Sequence, residues 1–136
     1  MIASENNPGI LDFQDAVEGP LTYDVVSLFK DCYIKWPADK INEWALQYYG
    51  RLGSELREEL SADKFLQHFD LMGVQRHLKA AGIFARLYHR DKNPGYLDDI
   101  PRTLSYISET VPQYEELSFL SDLIDNRVLP ALEAKG

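Results

Sequence analysis

A single long helix, apolar on two opposite sides, constrains the fold of this chain more than any other feature of its sequence. Residues 62–89 contain no proline and keep helical spacing throughout, and Ser61 stands where it can cap the first turn. One apolar stripe has Phe65, Phe69, Met72, Ala80, Ile83 and Leu87, and the nearly opposite one has Leu71, Val74, Leu78, Ala81 and Ala85. A helix that is apolar on both sides is predicted to lie at the centre of the fold, packed between others.

The rest of the sequence predicts further helices and one short hairpin. Helical spacing of apolar residues covers 22–36, 38–53, 98–110 and 113–134, while Leu56 and Leu60 suggest one further turn or a short separate helix. Asn93-Pro94-Gly95 predicts a break in the chain. Residues 1–4 and 9–13 are short apolar segments around a turn-rich stretch, which indicates a β-hairpin. The predicted fold class is therefore mainly α, with a short N-terminal β-hairpin.

Composition narrows the classes of protein to consider. The 136 residues fit roughly one domain. Twenty-two acidic against 14 basic residues give a net charge of −8, which argues against a nucleic-acid binder. The single cysteine, Cys32, excludes an internal disulfide framework and a cysteine-built zinc site, and its place on an apolar stripe favours packing. Because there is neither a membrane-spanning apolar run nor a leader, we expect a cytoplasmic protein without a membrane partner.

Arg76 interrupts the first apolar stripe of the long helix. A guanidinium at such a position must be paired or must face a cavity, because burying it alone is prohibitive. Either a structural ion pair or the floor of an anion-accepting pocket satisfies that requirement. Residues 73–92 also carry five bases and one acid, with His77 and His89 beside them. This basic stretch is either a solvated face or a surface that attracts a phosphate or carboxylate.

Two carboxylates follow the second predicted strand. Asp12 lies between Leu11 and Phe13, so its side chain is expected on the face opposite theirs, and Asp15 comes three residues later. Carboxylates at a strand end suit a hard cation such as Mg²⁺. Aspartates in acidic loops also cap turns and helices, so spacing alone leaves both interpretations open.

Three segments carry a family resemblance. Residues 11–16 (Leu-Asp-Phe-Gln-Asp-Ala), the following Gly-Pro loop and residues 22–24 (Thr-Tyr-Asp) resemble the aminoglycoside phosphotransferase/choline kinase superfamily, which has a protein-kinase-like fold. Residues 24–37 and 72–87 look more specifically like the bacterial cell-wall amino-sugar kinases. Those enzymes use ATP to phosphorylate N-acetylmuramate and N-acetylglucosamine at the anomeric hydroxyl. The resemblance covers nearly the whole chain.

The resemblance implies roles for particular residues. Asp12 matches the aspartate that holds Mg²⁺ against the phosphates of ATP, and Gln14 and Asp15 line the same turn as possible support. Asp24 matches a structural aspartate that holds the catalytic loop. Arg76 and His77 lie in a family-typical string and are candidates for binding the small-molecule sugar substrate.

Other parts of the family pattern are missing from the chain. No His-x-Asp-x-x-x-x-Asn catalytic loop precedes Asp12, and 11 residues cannot hold a nucleotide-binding lobe. We therefore expect residues 1–136 to form the helical C-terminal lobe, with the catalytic aspartate upstream of Met1 and no activity in isolation. The apolar surface left without its N-terminal lobe makes a homodimer possible. The alternative is a non-catalytic helical module that binds a sugar or a protein.

Overall fold

The computed structural model describes residues 18–134, and all its regular elements there are helical. In chain order these are α1 (Tyr23–Phe29), α2 (Ala38–Gly50), α3 (Ser54–Glu59), α4 (Ala62–Asp91), α5 (Gly95–Asp98), α6 (Ile100–Thr110), 3-10 turns at Val111–Gln113 and Glu115–Leu117, α7 (Ser118–Leu123), a π-helical turn at Ile124–Val128, and α8 (Leu129–Glu133). The mainly helical fold class is thereby confirmed. The predicted hairpin, over residues 1–4 and 9–13, lies outside the described residues. No helix within 18–134 is both long and apolar enough to cross a bilayer.

The central position of α4 is confirmed. Two separate apolar clusters lie against it, each with contributions from other helices. Phe65 and Phe69 at its N-terminal half pack with α1 and α2, whereas Val74 and Phe84 pack with α6, α7 and the C-terminal turns. The two clusters divide along the length of α4, and Leu78 of the second predicted stripe is 39% exposed. Packing along both halves makes α4 the scaffold on which the other elements are placed.

The two ends of α4 form as their sequence predicts. The Ser61 hydroxyl accepts a hydrogen bond from the Lys64 N–H at 3.4 Å, which caps the first turn. At the other end Lys92 adopts a left-handed conformation with φ 54°, and the chain turns at Asn93 and Pro94. The helix predicted over 98–110 is present as α6, which begins at Ile100 with Pro101 in its first turn, and the separate single turn α5 precedes it.

The helix predicted over 22–36 is wrong in its second half. It ends at Phe29, and residues 30–37 run as an irregular segment to Pro37. The Asp31 carboxylate accepts a hydrogen bond from the Tyr33 N–H at 2.6 Å and so closes a turn. Proline also disfavours helical geometry at the residue before it, here Trp36. We call residues 30–37 the connecting segment.

The continuous helix predicted over 113–134 is also wrong. Tyr114 is extended (φ −130°, ψ 103°) and separates two 3-10 turns, so regular α-helix resumes only at Ser118. Further on, Pro130 has no N–H with which to continue the helical hydrogen bonds. The chain accommodates it with a π-helical turn, in which the Leu129 N–H donates to the Ile124 carbonyl.

Candidate substrate-binding site

The connecting segment is held over α4 and α6 by side chains from both helices. The Lys30 carbonyl oxygen lies 3.0 Å from Nε2 of His77, and the Tyr106 hydroxyl donates to the Ile34 carbonyl at 2.9 Å. Lys35 adds an exposed hydrogen bond to the Ser105 hydroxyl at 2.9 Å. The first two bonds give the carbonyls of Lys30 and Ile34 the partners that a continued helix would have supplied.

His77 is a buried residue whose neutral form supports this arrangement. It is 2% exposed, and its ring stacks in parallel on that of Tyr106 with 4.4 Å between centroids. Burial, with smaller contributions from the charges of Lys30 and Arg76, lowers the pKa of His77 to about 4. At neutral pH the uncharged ring therefore donates from Nε2 to the Lys30 carbonyl.

We expect acid to destabilise the fold through His77. The folded-state pKa of about 4 lies below the usual 6.5, so the unfolded chain binds the extra proton more readily. The free energy of unfolding then falls as pH drops from about 6.5 to about 4, by about 3 kcal/mol from this group. Urea unfolding of wild type and His77→Gln across this pH range measures the effect. Equal pH slopes for the two proteins would contradict the assignment.

Arg76 lies beside His77 and lines a small cleft between α4 and the connecting segment. Its guanidinium carbon stands 4.2 Å from the centre of the Tyr23 ring, a cation–π contact. The cleft encloses about 110 Å³ and is lined by Ser27, Lys30, Asp31, Cys32, Tyr33, Arg76, His77 and Ala80. Within residues 18–134 no carboxylate forms an ion pair with Arg76. Of the two interpretations, the described part of the chain therefore supplies the cavity and not the ion-pair partner.

A second charged group lies behind the connecting segment. Lys30 Nζ is 2.8 Å from Oδ1 of Asp70, and the Tyr114 hydroxyl donates to Oδ2 at 3.0 Å. The side chains of Lys30 and Asp70 are 8% and 18% exposed, and the ammonium also stands 4.6 Å from the centre of the Phe69 ring. Burial, followed by the charge of Asp70, raises the pKa of Tyr114, so its hydroxyl stays protonated as a donor. This network ties α1, α4 and the turn after α6 together.

The remaining predicted site residues are placed as follows. Asp24 is exposed in the first turn of α1, where a carboxylate favours the positive end of the helix dipole. Asp12, Gln14 and Asp15 lie outside the described residues. Within 18–134 no group of three or more metal-ligating side chains is arranged to hold an ion. The magnesium assignment to Asp12 thus stays a prediction, as does the structural role of Asp24.

Cys32 borders the Arg76 cleft but has the properties of a packing residue. It is half-buried against the cluster around α6, and burial raises the pKa of its thiol. A thiol with a raised pKa is mostly protonated at neutral pH and is a poor nucleophile.

A larger concavity lies elsewhere, between α5, α6 and α8. It has a volume of about 760 Å³ and apolar walls that include Leu97, Leu129 and Leu132. Its lining contains four carboxylates, from Asp98, Glu109, Asp125 and Glu133, and no basic side chain. Such a groove disfavours an anionic ligand, whereas the lining of the Arg76 cleft contains two basic residues, Lys30 and Arg76, and one acidic residue, Asp31.

Sequence reasoning missed Lys30, Asp70 and Tyr106 as parts of this arrangement. The sequence did contain one indication of Asp70, because this carboxylate lies between the two apolar stripes of α4, as the cation Arg76 lies within one of them. A second was Gly73, where an added Cβ would stand 3.3 Å from Cδ of Lys30. The absence of a side chain there lets Lys30 cross close to α4 and reach Asp70.

Residues 18–134 form a helical domain that presents charged and aromatic side chains around small clefts beside one central helix. No protein-family model and no solved structure matches the chain. Several curated proteins do, and they are named N-acetylmuramate/N-acetylglucosamine kinase. Those of Pseudomonas putida and Pseudomonas aeruginosa are each 47% identical to it, over 127 and 126 residues, and that of Neisseria meningitidis is 42% identical over 125.

Each of these alignments covers 91% of this chain but 37% of the relative. The chain therefore spans little more than a third of the length of the curated relatives it matches. The expected similarity to amino-sugar kinases is confirmed at the level of these names. The wider superfamily and the protein-kinase-like fold stay predictions.

Proposed function

We propose that this chain forms the helical, sugar-side part of an ATP-dependent kinase that acts on N-acetylmuramate and N-acetylglucosamine. The observation that carries the proposal is the 42–47% identity over 91% of the chain to proteins with that name. In such an enzyme the anomeric hydroxyl of the sugar accepts the γ-phosphoryl group of ATP. The protein contributes mainly by positioning the two substrates and by stabilising charge.

Within this proposal Arg76 binds the acidic group of the sugar. N-acetylmuramate differs from N-acetylglucosamine by a lactyl ether that carries a carboxylate, and a guanidinium is the side chain best suited to hold one. Support comes from the half-buried position of Arg76 in a cleft and from its contact with Tyr23, which orients the group without neutralising it. His77 acts as a positioning residue, since it fixes the connecting segment that forms the opposite wall.

The proposal also covers the binding of ATP and its Mg²⁺ ion. Mg²⁺ bound with ATP neutralises phosphate charge, and Asp12 is the residue of this chain proposed to hold it. Asp24 is proposed to support the catalytic loop from the first turn of α1. The residues that bind the nucleotide and activate the acceptor hydroxyl are assigned to the portion of the relatives that the alignment does not cover.

The exposed apolar side chains of α1 and the connecting segment suit contact with that remaining portion. Leu28 is 71% exposed, Tyr33 is 65% exposed and Ile34 is 54% exposed. We assign this surface to the rest of the kinase, and its self-association would produce the homodimer when that portion is absent.

The chain by itself is expected to transfer no phosphoryl group. With ATP, Mg²⁺ and either amino sugar, its turnover should lie at least about a thousandfold below the ~1–100 s⁻¹ typical of kinases. A coupled assay of ADP release, with the Pseudomonas putida relative as the positive control, measures this. Turnover within the ordinary kinase range would contradict the assignment of the catalytic residues to another part of the protein.

A further inference from the structure

A second cleft, around Trp36, lies next to the Arg76 cleft. It encloses about 90 Å³ and is lined by Lys30, Trp36, Ala38, Ile41, Asn42, Asp70, Tyr106, Glu109, Thr110 and Gln113. We call it the Trp36 cleft. Lys30 lines both this cleft and the one at Arg76, so the two are neighbours.

Several residues that line the Trp36 cleft are held by contacts within the chain. The Lys30 side chain is more than nine-tenths buried and paired with Asp70, whose second oxygen accepts from Tyr114. The Thr110 hydroxyl donates to the Tyr106 carbonyl at 2.8 Å, and the Tyr106 hydroxyl is held by Ile34. Because these groups are already positioned, a ligand would lose little free energy in ordering the cleft.

The rest of the lining combines apolar residues, two amide residues and the acidic residue Glu109. Trp36, Ala38 and Ile41 supply an apolar side, and Trp36 is braced by Trp44, with 5.4 Å between ring centroids. Asn42 and Gln113 also line the cleft, and each of these side chains ends in an amide that offers both a hydrogen-bond donor and an acceptor. A space of about 90 Å³ is too small for a whole ligand, since ligand pockets usually have about 300–1,000 Å³. It suits one substituent that is itself part amide and part methyl.

The acetamido group is the substituent with that chemistry. Both sugars in the names of the relatives carry an N-acetylated amine, and they differ in the lactyl group. Resting on the function proposed above, we infer that the Trp36 cleft holds the acetamido group of an N-acetylated amino sugar. Its methyl group packs on Trp36 and Ile41, while its carbonyl and N–H pair with the amides of Asn42 and Gln113. A hydroxyl in that place has neither the methyl group nor the carbonyl and N–H of the acetamido group, so such a sugar makes fewer of these contacts, which makes the cleft selective.

The indole N–H groups of the two tryptophans allow ligand binding at this cleft to be followed by NMR. The chain contains two tryptophans, Trp36 and Trp44, which contact each other beside the cleft. The two indole signals in the ¹H–¹⁵N spectrum of the ¹⁵N-labelled chain can be assigned with the variant Trp44→Phe, which has only the Trp36 signal. Addition of N-acetylglucosamine should shift the Trp36 signal until the shift reaches saturation. Glucose at the same concentrations should not. Asn42→Ala and Gln113→Ala should each weaken binding about tenfold.

Matched controls replace the same side chains elsewhere. Asn126→Ala and Gln67→Ala remove exposed amides away from the cleft and should leave the affinity for N-acetylglucosamine unchanged. Equal response to glucose, unchanged affinity in Asn42→Ala and Gln113→Ala, or no response of the Trp36 signal to either sugar would each overturn the inference. Kinase activity measured separately decides the proposed function, so the two can fail independently.

Discussion

Replacing Lys30 with methionine should lower the free energy of unfolding by about 3 kcal/mol. The substitution keeps the length of the aliphatic chain but leaves the Asp70 carboxylate, 18% exposed, without its cation. Removing one partner of a buried pair is costly because the other charge stays desolvated. Asp70 would retain only the hydrogen bond from Tyr114. Urea unfolding monitored by circular dichroism measures the change.

The exposed pair between Lys40 and Glu43 is the matched control. These side chains are 54% and 50% exposed, so Lys40→Met should change the free energy of unfolding far less than Lys30→Met does. The double variant Lys30→Met with Asp70→Leu should recover much of the lost stability, since neither buried charge then remains unpaired. A Lys30→Met protein as stable as wild type would contradict the structural role of this ion pair.

Substitution of Arg76 should separate the two amino sugars. We consider a chimera in which this chain replaces the aligned segment of the Pseudomonas putida relative. In that protein Arg76→Met should raise KM for N-acetylmuramate about 10- to 100-fold, because a hydrogen bond to a charged group contributes about 1.5–3 kcal/mol. KM for N-acetylglucosamine should change less than about threefold, since that sugar lacks the carboxylate. Steady-state kinetics with both sugars measures the difference.

Two further variants make the Arg76 result specific. Arg76→Lys keeps the charge but loses the planar guanidinium, so its KM for N-acetylmuramate should lie between the wild-type and methionine values. Arg86→Met removes an exposed guanidinium from the same helix and should change neither KM. Equal increases in KM for both sugars on Arg76→Met would show that Arg76 supports the fold of the cleft and does not bind the carboxylate.

The helical scaffold could be predicted from the sequence because its determinants are local. The helical periodicity of α4 and the hydroxyl of Ser61 act within one helix, and both appear in the structure, although Leu78 of the second stripe is 39% exposed and Phe84, which is in neither stripe, is buried. The early end of α1 could not be predicted in the same way. The bond from His77 to the Lys30 carbonyl spans 47 positions of sequence, and that from Tyr106 to the Ile34 carbonyl spans 72. The helical periodicity of a sequence does not predict such tertiary hydrogen bonds.

Some residues of the candidate site could also be predicted from the sequence, and others could not. Arg76 could be found because a cation within an apolar stripe conflicts with local expectation. Asn42 and Gln113 could not be found in this way, because single amide side chains are common on protein surfaces. The fold brings these two residues to one cleft with Trp36. The wrong prediction of a continuous helix over 113–134 could have been corrected in part from Pro130. Its missing N–H predicts an interruption of the helix, but not that the interruption is a π-helical turn.

The central claim is that this chain supplies the sugar-binding side of an amino-sugar kinase. The most direct test is the kcat/KM of the unmodified chimera for N-acetylmuramate and N-acetylglucosamine, compared with the Pseudomonas putida relative. Our account predicts phosphorylation of both sugars with kcat/KM within about tenfold of that relative. A chimera that has the helical circular dichroism of the relative but transfers no phosphoryl group to either sugar would contradict it.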